Sequence, residues 1–410
     1  MQYIYFKEKY KNSLAKVAFY GFFYTLLKRF GTTIFPSMRF KIQTDIFRKW
    51  VEAASHATST NNLTPILENI LIDAKYKKLV LTGNNLDMAI EYVVEDGVEV
   101  EWEGRFTLSA KFLTSYISLV QDNEIMVELE ANGSVLFQTK SSETKFKWLS
   151  AEKFPVIPSI PTSKFTRIST SLVKSAIEKT LFSTADGWLR PMLAWVFFRQ
   201  ENDKLIFAST DSFRLSEVQI NSALWEKSAP IIIPWKAAGE LVRLLSSHDE
   251  KHLDIYVHES QILIVLGNIR LTSRLLSGKF PDYEAFFPTE HKTKVTLLRS
   301  EFMNSLKQTN LVARQNNFNT RIKSTHDGII TISTGDTEIG ASNVSISGSV
   351  EGQEDTIGIN SEYLLQALSV IRDDYVSFEY KNPLSPIVIR WVASENETQK
   401  YRHLIMPLKI

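Results

Sequence analysis

Apolar residues along this chain switch between a helical and a strand period, and the switching itself recurs. Phe47, Trp50, Val51 and Ala54 stand three and four apart, the spacing of a helix with one buried face, and Thr44-Asp45 ahead of them predicts its cap. Phe112, Leu113, Tyr116 and Ile117 predict a second helix. The pair returns as Leu172, Ala176, Ile177 and Leu181, behind Ser169 to Ser171, with Ala238, Leu241, Val242 and Leu245. It returns again as Phe302, Leu306 and Leu311, behind Ser300, with Tyr363, Leu364, Leu365, Leu368 and Ile371. Ser109, Pro234 and Asn360 hold equivalent positions where the second helix of each pair begins. Between the helices, runs such as Leu79-Val80-Leu81-Thr82, Leu205-Ile206-Phe207-Ala208 and Ile329-Ile330-Thr331-Ile332 predict strands, with turn punctuation such as His326-Asp327-Gly328.

Phe154-Pro155, Phe280-Pro281 and Met406-Pro407 each close one such set, and successive prolines are 126 residues apart. A solenoid unit runs about 20–50 residues, whereas a domain runs about 100–150. The chain therefore reads as three tandem copies of one α+β domain, each with two helices laid on one face of antiparallel sheet. The expected domains are 38–163, 164–283 and 284–410, with linkers at Pro158-Ser159-Ile160-Pro161-Thr162-Ser163 and around Pro288 to Lys294. A chain built this way suits an extended, curved or closed working surface.

Residues 1–37 differ from the rest. They hold 11 of the 47 aromatic residues, and Lys7, Lys9, Lys11, Lys16, Lys28 and Arg29 against Glu8 give them a charge of +5. With +1 overall, the remaining 373 residues sum to −4, which disfavours DNA binding over the whole outer surface. Val17 to Leu27 is an uncharged run of eleven residues, short of the roughly 20 a membrane span needs. Its length fits a signal-peptide core, but Phe30 to Ser37 offers no clear small-x-small cleavage site. The expectation is an upstream leader or a mis-set start, with Met38-Arg39-Phe40 opening the first domain; a weak membrane-surface anchor is the other reading.

The remaining composition narrows the chemistry. An apolar content of 44% and 23% charge are those of a soluble globular protein. With no cysteine, disulfides and thiolate metal sites are excluded, and the chain suits a reducing cytoplasm. No Walker-type phosphate loop or dinucleotide fingerprint is present. Ser171-Leu172-Val173-Lys174 matches a serine–lysine acylase tetrad, but without that family's companion motifs. His248 and His252 have the spacing of a metal pair, with His258 nearby, yet Ser246 to Lys251 reads as the turn after a helix. Asp249-Glu250 and Asp373-Asp374 read as solvated loop acids. No catalysis, metal or cofactor is expected.

Basic residues, by contrast, fall on all six helix signals: Arg48 and Lys49, Lys111, Lys174 and Lys179, Lys236 and Arg243, Lys307, and Arg372. Any amphipathic helix has a solvated charged face, and Glu52, Glu178 and Glu240 are interleaved as counterions. Recurrence in every repeat favours one shared basic wall.

From Met38 to Ile410 the sequence resembles the bacterial DNA polymerase III β sliding clamp family. The resemblance rests on Thr64-Pro65-Ile66-Leu67-Glu68-Asn69-Ile70-Leu71, Thr82-Gly83-Asn84-Asn85-Leu86-Asp87-Met88, Thr210-Asp211-Ser212-Phe213-Arg214-Leu215, Ser277-Gly278-Lys279-Phe280-Pro281-Asp282-Tyr283 and Leu404-Ile405-Met406-Pro407-Leu408-Lys409-Ile410. It implies a non-catalytic cytoplasmic processivity factor: two copies joined head to tail, first domain to third, in a closed ring around duplex DNA. Cationic contacts to phosphate hold position without reading sequence, so such a ring can slide. The resemblance implies DNA contact by Arg48, Lys111, Lys174, Arg190, Lys236 and Arg243. It implies a peptide pocket, for the polymerase III alpha subunit, clamp loader and repair polymerases, walled by Arg190, Leu193, Thr210, Ser212, Phe213, Arg214, Leu215, Pro281, Phe286, Leu384, Pro386, Leu404 and Met406. Phe146, Leu311 and Val312 match its ring-joint positions. The chain departs from the family at Ser212-Phe213, where Gly-His or Gly-Tyr is common, at Asn61, where a basic residue sometimes stands, and at Trp235. A clamp-like scaffold that keeps the pocket but no longer loads on DNA is the alternative, and a serine–lysine hydrolase using Ser171 the third reading.

Overall fold

The computed structural model describes residues 38–59, 64–130, 133–163, 165–185, 193–201, 203–221, 230–278, 280–391 and 399–409. The chain separates into two compact units, 1–157 and 158–410. The expectations for residues 1–37, Asn61 and Arg190 lie outside the described residues.

In the first unit β1 (Met38–Gln43) runs directly into α1 (Thr44–Ser55), followed by β2 (Asn69–Lys75), β3 (Lys78–Asn84), β4 (Met88–Val94), β5 (Val98–Trp102) and β6 (Gly104–Ser109). Then come α2 (Ala110–Leu119), β7 (Glu124–Leu129), β8 (Ser134–Gln138) and β9 (Glu143–Lys147). The strands form two antiparallel ladders, β5-β1-β7-β8-β9 and β4-β3-β2-β6, with α1 and α2 packed side by side. Met38, Phe40 and Ile42 of β1 point into the core while Arg39 and Lys41 are less buried, so a one-residue slip would bury both charges. Phe40 and Phe47 meet edge to face at 6.2 Å, fixing α1 on the sheet. Gly83 is required by space, because a Cβ there would sit 2.0 Å from the Ala54 carbonyl oxygen.

The second unit repeats this order twice, with four strands between the helices of its first half, among the described residues, and five in its second. Its first half is β10 (Thr166–Ser169), α3 (Thr170–Leu181), β11 (Trp195–Glu201), β12 (Lys204–Thr210), β13 (Arg214–Asn221), β14 (Ile231–Pro234), α4 (Trp235–Ser247), β15 (His252–His258), β16 (Gln261–Leu266) and β17 (Ile269–Arg274). A connector, 275–292, leads to β18 (Thr293–Leu298), α5 (Arg299–Ala313), β19 (Asn319–Ser324), β20 (Ile329–Ser333), β21 (Asn343–Ser347), β22 (Ser349–Gly352) and β23 (Asp355–Asn360). The chain continues with α6 (Ser361–Ser369), β24 (Tyr375–Tyr380), β25 (Ile387–Trp391) and β26 (Gln399–Ile405). The two halves are sewn together by an antiparallel ladder between β13 and β26, running from Arg214 opposite Ile405 to Ile220 opposite Gln399.

Two details of the sequence reading change. Thr44-Asp45 does not cap α1: the helix starts at Thr44, with Gln43 as N-cap making no side-chain cap bond, because strand passes into helix with no intervening loop. The Thr44 hydroxyl donates instead to the Asp122 carbonyl. Phe112 and Leu311 lie on exposed helix faces rather than in the core, where Leu113 and Ile117, and Phe302 and Leu306, are the buried residues. Ser109, Pro234 and Asn360 are N-caps of α2, α4 and α6, and only the Asn360 side chain accepts cap bonds, from the Glu362 and Tyr363 amides.

The ladders align the repeats residue by residue. Leu149 and Leu408 bridge Thr107 and Gly358, and the Leu276 amide donates to the Ile232 carbonyl at 3.1 Å, so these three pairs are equivalent. From there the register makes Leu71, Phe197 and Arg321 equivalent, then Glu91, Glu217 and Asn343. On the other side of each domain, Phe146, Ser273 and Ile405 correspond.

A candidate peptide groove and basic helices

Leu215 of β13 lies directly opposite Leu404 of β26, and Leu404 opposite Val388 of β25. The three side chains make an apolar floor, buried together with Trp195, Phe197, Phe280, Tyr283 and Phe287. Phe213 and Met406 stand two residues from Leu215 and Leu404, at the ends of the same strands, and with Phe286 and Leu384 they leave large apolar surface in solvent, Phe286 57% and Met406 40% exposed. Pro281 is exposed, and Leu193 and Pro386 are half-buried. Exposed apolar side chains beside a leucine floor can receive hydrophobic side chains of a partner. Repeat equivalence explains why this joint has a groove: the counterparts of Leu215 are Ala89 and Ala341, and those of Leu404 are Lys145 and Thr272.

The rim turn from β12 to β13 is built by side chains. Asp211 Oδ1 accepts from the Phe213 and Arg214 amides at 2.8 and 3.0 Å, and Thr210 Oγ1 accepts from the Ser212 amide at 3.1 Å while donating to the Arg214 carbonyl at 2.7 Å. Ser212 adopts φ +79°, a left-handed conformation that glycine takes freely, which fits the glycine that the resemblance implies at this position. Leu86, in the equivalent turn of the first unit, has φ +77° and a similar set of Asn84 and Asn85 acceptors. The Met406 amide donates to the Phe213 carbonyl at 2.8 Å, tying the two rim residues together.

Arg214 was expected to border this groove, and strand alternation turns its side chain to the opposite face. Its guanidinium is buried, bonded to Asp211 at 2.9 Å, the Phe182 carbonyl at 2.6 Å and Gln366, and stacked over Tyr363 at 4.3 Å. It organises the rim from behind and carries no open charge toward a ligand.

Sequence reasoning missed a buried ion pair beside the floor. Arg402 donates to both Glu217 carboxylate oxygens at 2.7 and 2.9 Å, and the Tyr283 hydroxyl donates to Glu217 at 2.7 Å. The guanidinium lies 3.8 Å over the Phe287 ring. Burial alone would raise the Glu217 pKa, but the Arg402 bonds and charge outweigh it and hold the carboxyl below its usual range. Burial, then the Glu217 charge, push the Tyr283 phenol well up, so it remains a donor. Alternation along β13 and β26 gave no sign of this; only the ladder puts Glu217 opposite Arg402.

On the helix side, Ser183, Ser216 and His403 form a buried hydrogen-bonded chain, 2.7 Å at each step. Burial, then the nearby Arg214 charge, hold the His403 pKa well below 6.5, so the folded protein keeps it neutral. An unfolded histidine takes up a proton near 6.5. The folded state therefore has its full stability above that pH and loses it as pH falls below, at up to about 1.4 kcal/mol per unit. Urea midpoints of wild type and His403→Gln at pH 7.5 and 5.5 should show the wild type losing more on acidification; parallel losses would contradict a neutral His403.

The proposed DNA residues divide by what surrounds them. Lys111 on α2 and Lys236 on α4 are exposed. Lys174 lies 3.9 Å from Glu178. Arg48 is committed to structure: it donates to the Ile117 and Val120 carbonyls at 3.3 and 2.8 Å, closing the end of α2, and to Asp45 at 2.6 Å. Arg243 is held by the buried carboxylate of Glu240 at 2.9 Å. Phe146 on β9 is half-buried, with rings of Tyr116 and Phe137 at 5.2 and 5.4 Å. Leu311 on α5 is 76% exposed and Val312 beside it is half-buried. Among the described residues no acidic or histidine cluster could hold a metal ion, and no helix is long and apolar enough to cross a membrane.

Three equivalent two-helix domains, an apolar groove at the joint of two of them and cations on the helices define a DNA sliding clamp. Models of the DNA polymerase III beta subunit family match from residue 38 onward: the N-terminal domain over 38–158, the central domain over 167–282 and the C-terminal domain over 284–409. The chain belongs to the DNA polymerase III beta subunit family and is a non-catalytic processivity factor. It is 28% identical over 379 residues to the beta sliding clamp of Staphylococcus aureus, covering 91% of this chain and 99% of that protein. The solved sliding clamp of Bacillus subtilis superposes with a TM-score of 0.85 at 27% identity, covering 91% of this chain and all of that one. The polymerase beta subunit of Streptococcus pyogenes gives 0.84 at 26% identity, with the same coverage of this chain.

Proposed function

We propose that two copies of this chain, each with domains 38–163, 164–283 and 284–410, close a cytoplasmic ring on duplex DNA by repeating the β13–β26 ladder between copies. The observation that carries this reading is the sheet order, in which β9 and β21 end their sheets. These strands hold the positions that β26 and β13 hold at the internal joint. Transferring that register sets Phe146 opposite Gly340 and Glu143 opposite Asn343 of the second copy. Heterologous contacts of this kind close only when the rotation per joint fits.

Lys111 and Lys236 are the favoured phosphate contacts, because neither is drawn into the fold as Arg48 and Arg243 are. Loaded clamp should stay on nicked circular DNA and leave when the circle is cut; loss from the intact circle would favour the scaffold alternative. Lys111→Glu with Lys236→Glu should weaken retention and flatten the log–log salt dependence of DNA binding by about 0.9 for each phosphate no longer neutralised. An unchanged slope would place the DNA-facing cations elsewhere.

The groove is proposed to take a leucine and an aromatic side chain of partner peptides. Leu404 is part of the floor, and truncating a buried leucine commonly costs about 2–5 kcal/mol of stability. Exposed Met406 and Phe286 are the cleaner probes. Met406→Ala with Phe286→Ala should weaken a clamp-binding peptide of the polymerase about 30-fold, the effect of losing an anchor worth about 2 kcal/mol, with the dimer intact. Parent-like affinity would reject the groove assignment.

A further inference from the structure

The sheet face that the connector covers in the central domain is exposed in the third, where none of the described residues lies over it. In the central domain Phe197 stacks on Phe280 of the connector at 4.5 Å, and Arg199 donates to the connector's Glu284 at 2.6 Å. The equivalent positions on β19 are Arg321 and Lys323, both exposed. Their ladder neighbours Ser333, Thr331, Gly358 and Thr356, and beyond them Asn343 and Ser345, are uncharged. Neither cation makes an ion pair among the described residues. The Leu408 amide donates to the Gly358 carbonyl at 2.9 Å, which brings exposed Lys409 to the same edge.

We propose that this face is a second docking surface, separate from the groove, for an extended acidic and aromatic segment of a partner protein laid across β19 and β20. The internal precedent is chemical as well as geometric. The segment that covers β11 and β12 is Phe280-Pro281-Asp282-Tyr283-Glu284-Ala285-Phe286-Phe287, aromatic and acidic, and it meets a strand bearing Arg199. Two cations with no ion pair among the described residues, set amid uncharged neighbours, offer the same charge complement to an outside chain. Residues 1–37, at +5, have the wrong sign to be the occupant.

The full-length dimer should be titrated with the fluorescein-labelled peptide Glu-Asp-Tyr-Glu-Asp-Phe-Glu-Asp and then treated with a carbodiimide, which joins carboxylates to nearby amines. Saturable, salt-sensitive binding with crosslinking at Lys323 is expected. Arg321→Glu with Lys323→Glu should weaken binding at least tenfold without changing Tm or dimerisation, because both side chains are exposed. Met406→Ala should leave it unchanged, which separates this surface from the groove. No saturable binding, equal affinity of the reversed variant, or crosslinks confined to the groove would overturn the proposal. So would a short DNA duplex that binds this face in place of the peptide and is lost on charge reversal.

Discussion

Phe146→Arg should turn the dimer into monomers. Phe146 already shares edge-to-face contacts with Tyr116 and Phe137 in its own domain, so its ring is pre-positioned and half-exposed rather than loose. The internal joint shows what surrounds such a position. There β13 pairs with β26, and Arg214, which leads β13, reaches α6 at Gln366 and Tyr363. By equivalence, β21 and α5 of one copy should meet β9 and α2 of the other. The exposed apolar side chains fit that seam: Leu311 on α5 at 76%, and Phe112 and Leu119 on α2 at 62% and 79%. Burying a phenylalanine is worth roughly 1.5–3 kcal/mol, and one substitution acts at both joints. An arginine adds an unpaired cation to the seam, which costs several kcal/mol more. About 1.4 kcal/mol is a factor of ten in the constant, so the loss spans several decades. Sedimentation velocity should show a folded monomer at micromolar concentration. A dimer that persists at nanomolar concentration would contradict the transferred register.

How much of this was legible in the sequence follows from the range of the interactions. The repeats were visible because helix and strand periods are local, and the N-cap positions Ser109, Pro234 and Asn360 stand at the predicted junctions. The side facing the core was harder to read. Phe112 and Leu311 satisfy a helical period, yet they lie outside the buried stripe, because the period marks an apolar position without saying which face of the helix packs on the sheet. Basic residues were visible as charges but not as partners. Arg48 and Arg243 look like Lys111 and Lys236 in one dimension, and only the packing of α1 against α2 spends the Arg48 donors on carbonyls at the end of α2. The groove was legible only through resemblance. Leu215 and Leu404 are 189 residues apart and become one floor through the β13–β26 ladder, which no local pattern announces. The same ladder reverses the expected role of Arg214 and creates the Glu217–Arg402 pair.

That pair supplies the second large effect. Arg402→Met should destabilise the 158–410 unit by about 3–5 kcal/mol, the usual result of removing one partner from a buried ion pair. Glu217 is fully buried, so its carboxylate would be left with the Tyr283 hydroxyl and Gln219 and no cation. Phe287 would also lose the guanidinium stacked 3.8 Å above it. For a unit of this size each kcal/mol shifts Tm by about 2–4 °C, so a fall on the order of 10 °C is expected. The effect should reach the groove, because Glu217 anchors the connector through Tyr283, and Pro281 and Phe286 stand on that connector. Peptide affinity should therefore drop even though Arg402 is no groove residue. A purely electrostatic origin can be separated from lost packing. Arg402→Met combined with Glu217→Leu and Tyr283→Phe removes the ion pair and its phenol, leaving part-buried Gln219 and no buried charge at this site, and such apolar replacements are often neutral or better. The triple variant should recover most of the lost Tm. If Arg402→Met alone melts like the wild type, or the triple variant melts no higher than the single one, the joint is held by its ladder and leucine floor and the ion pair contributes little.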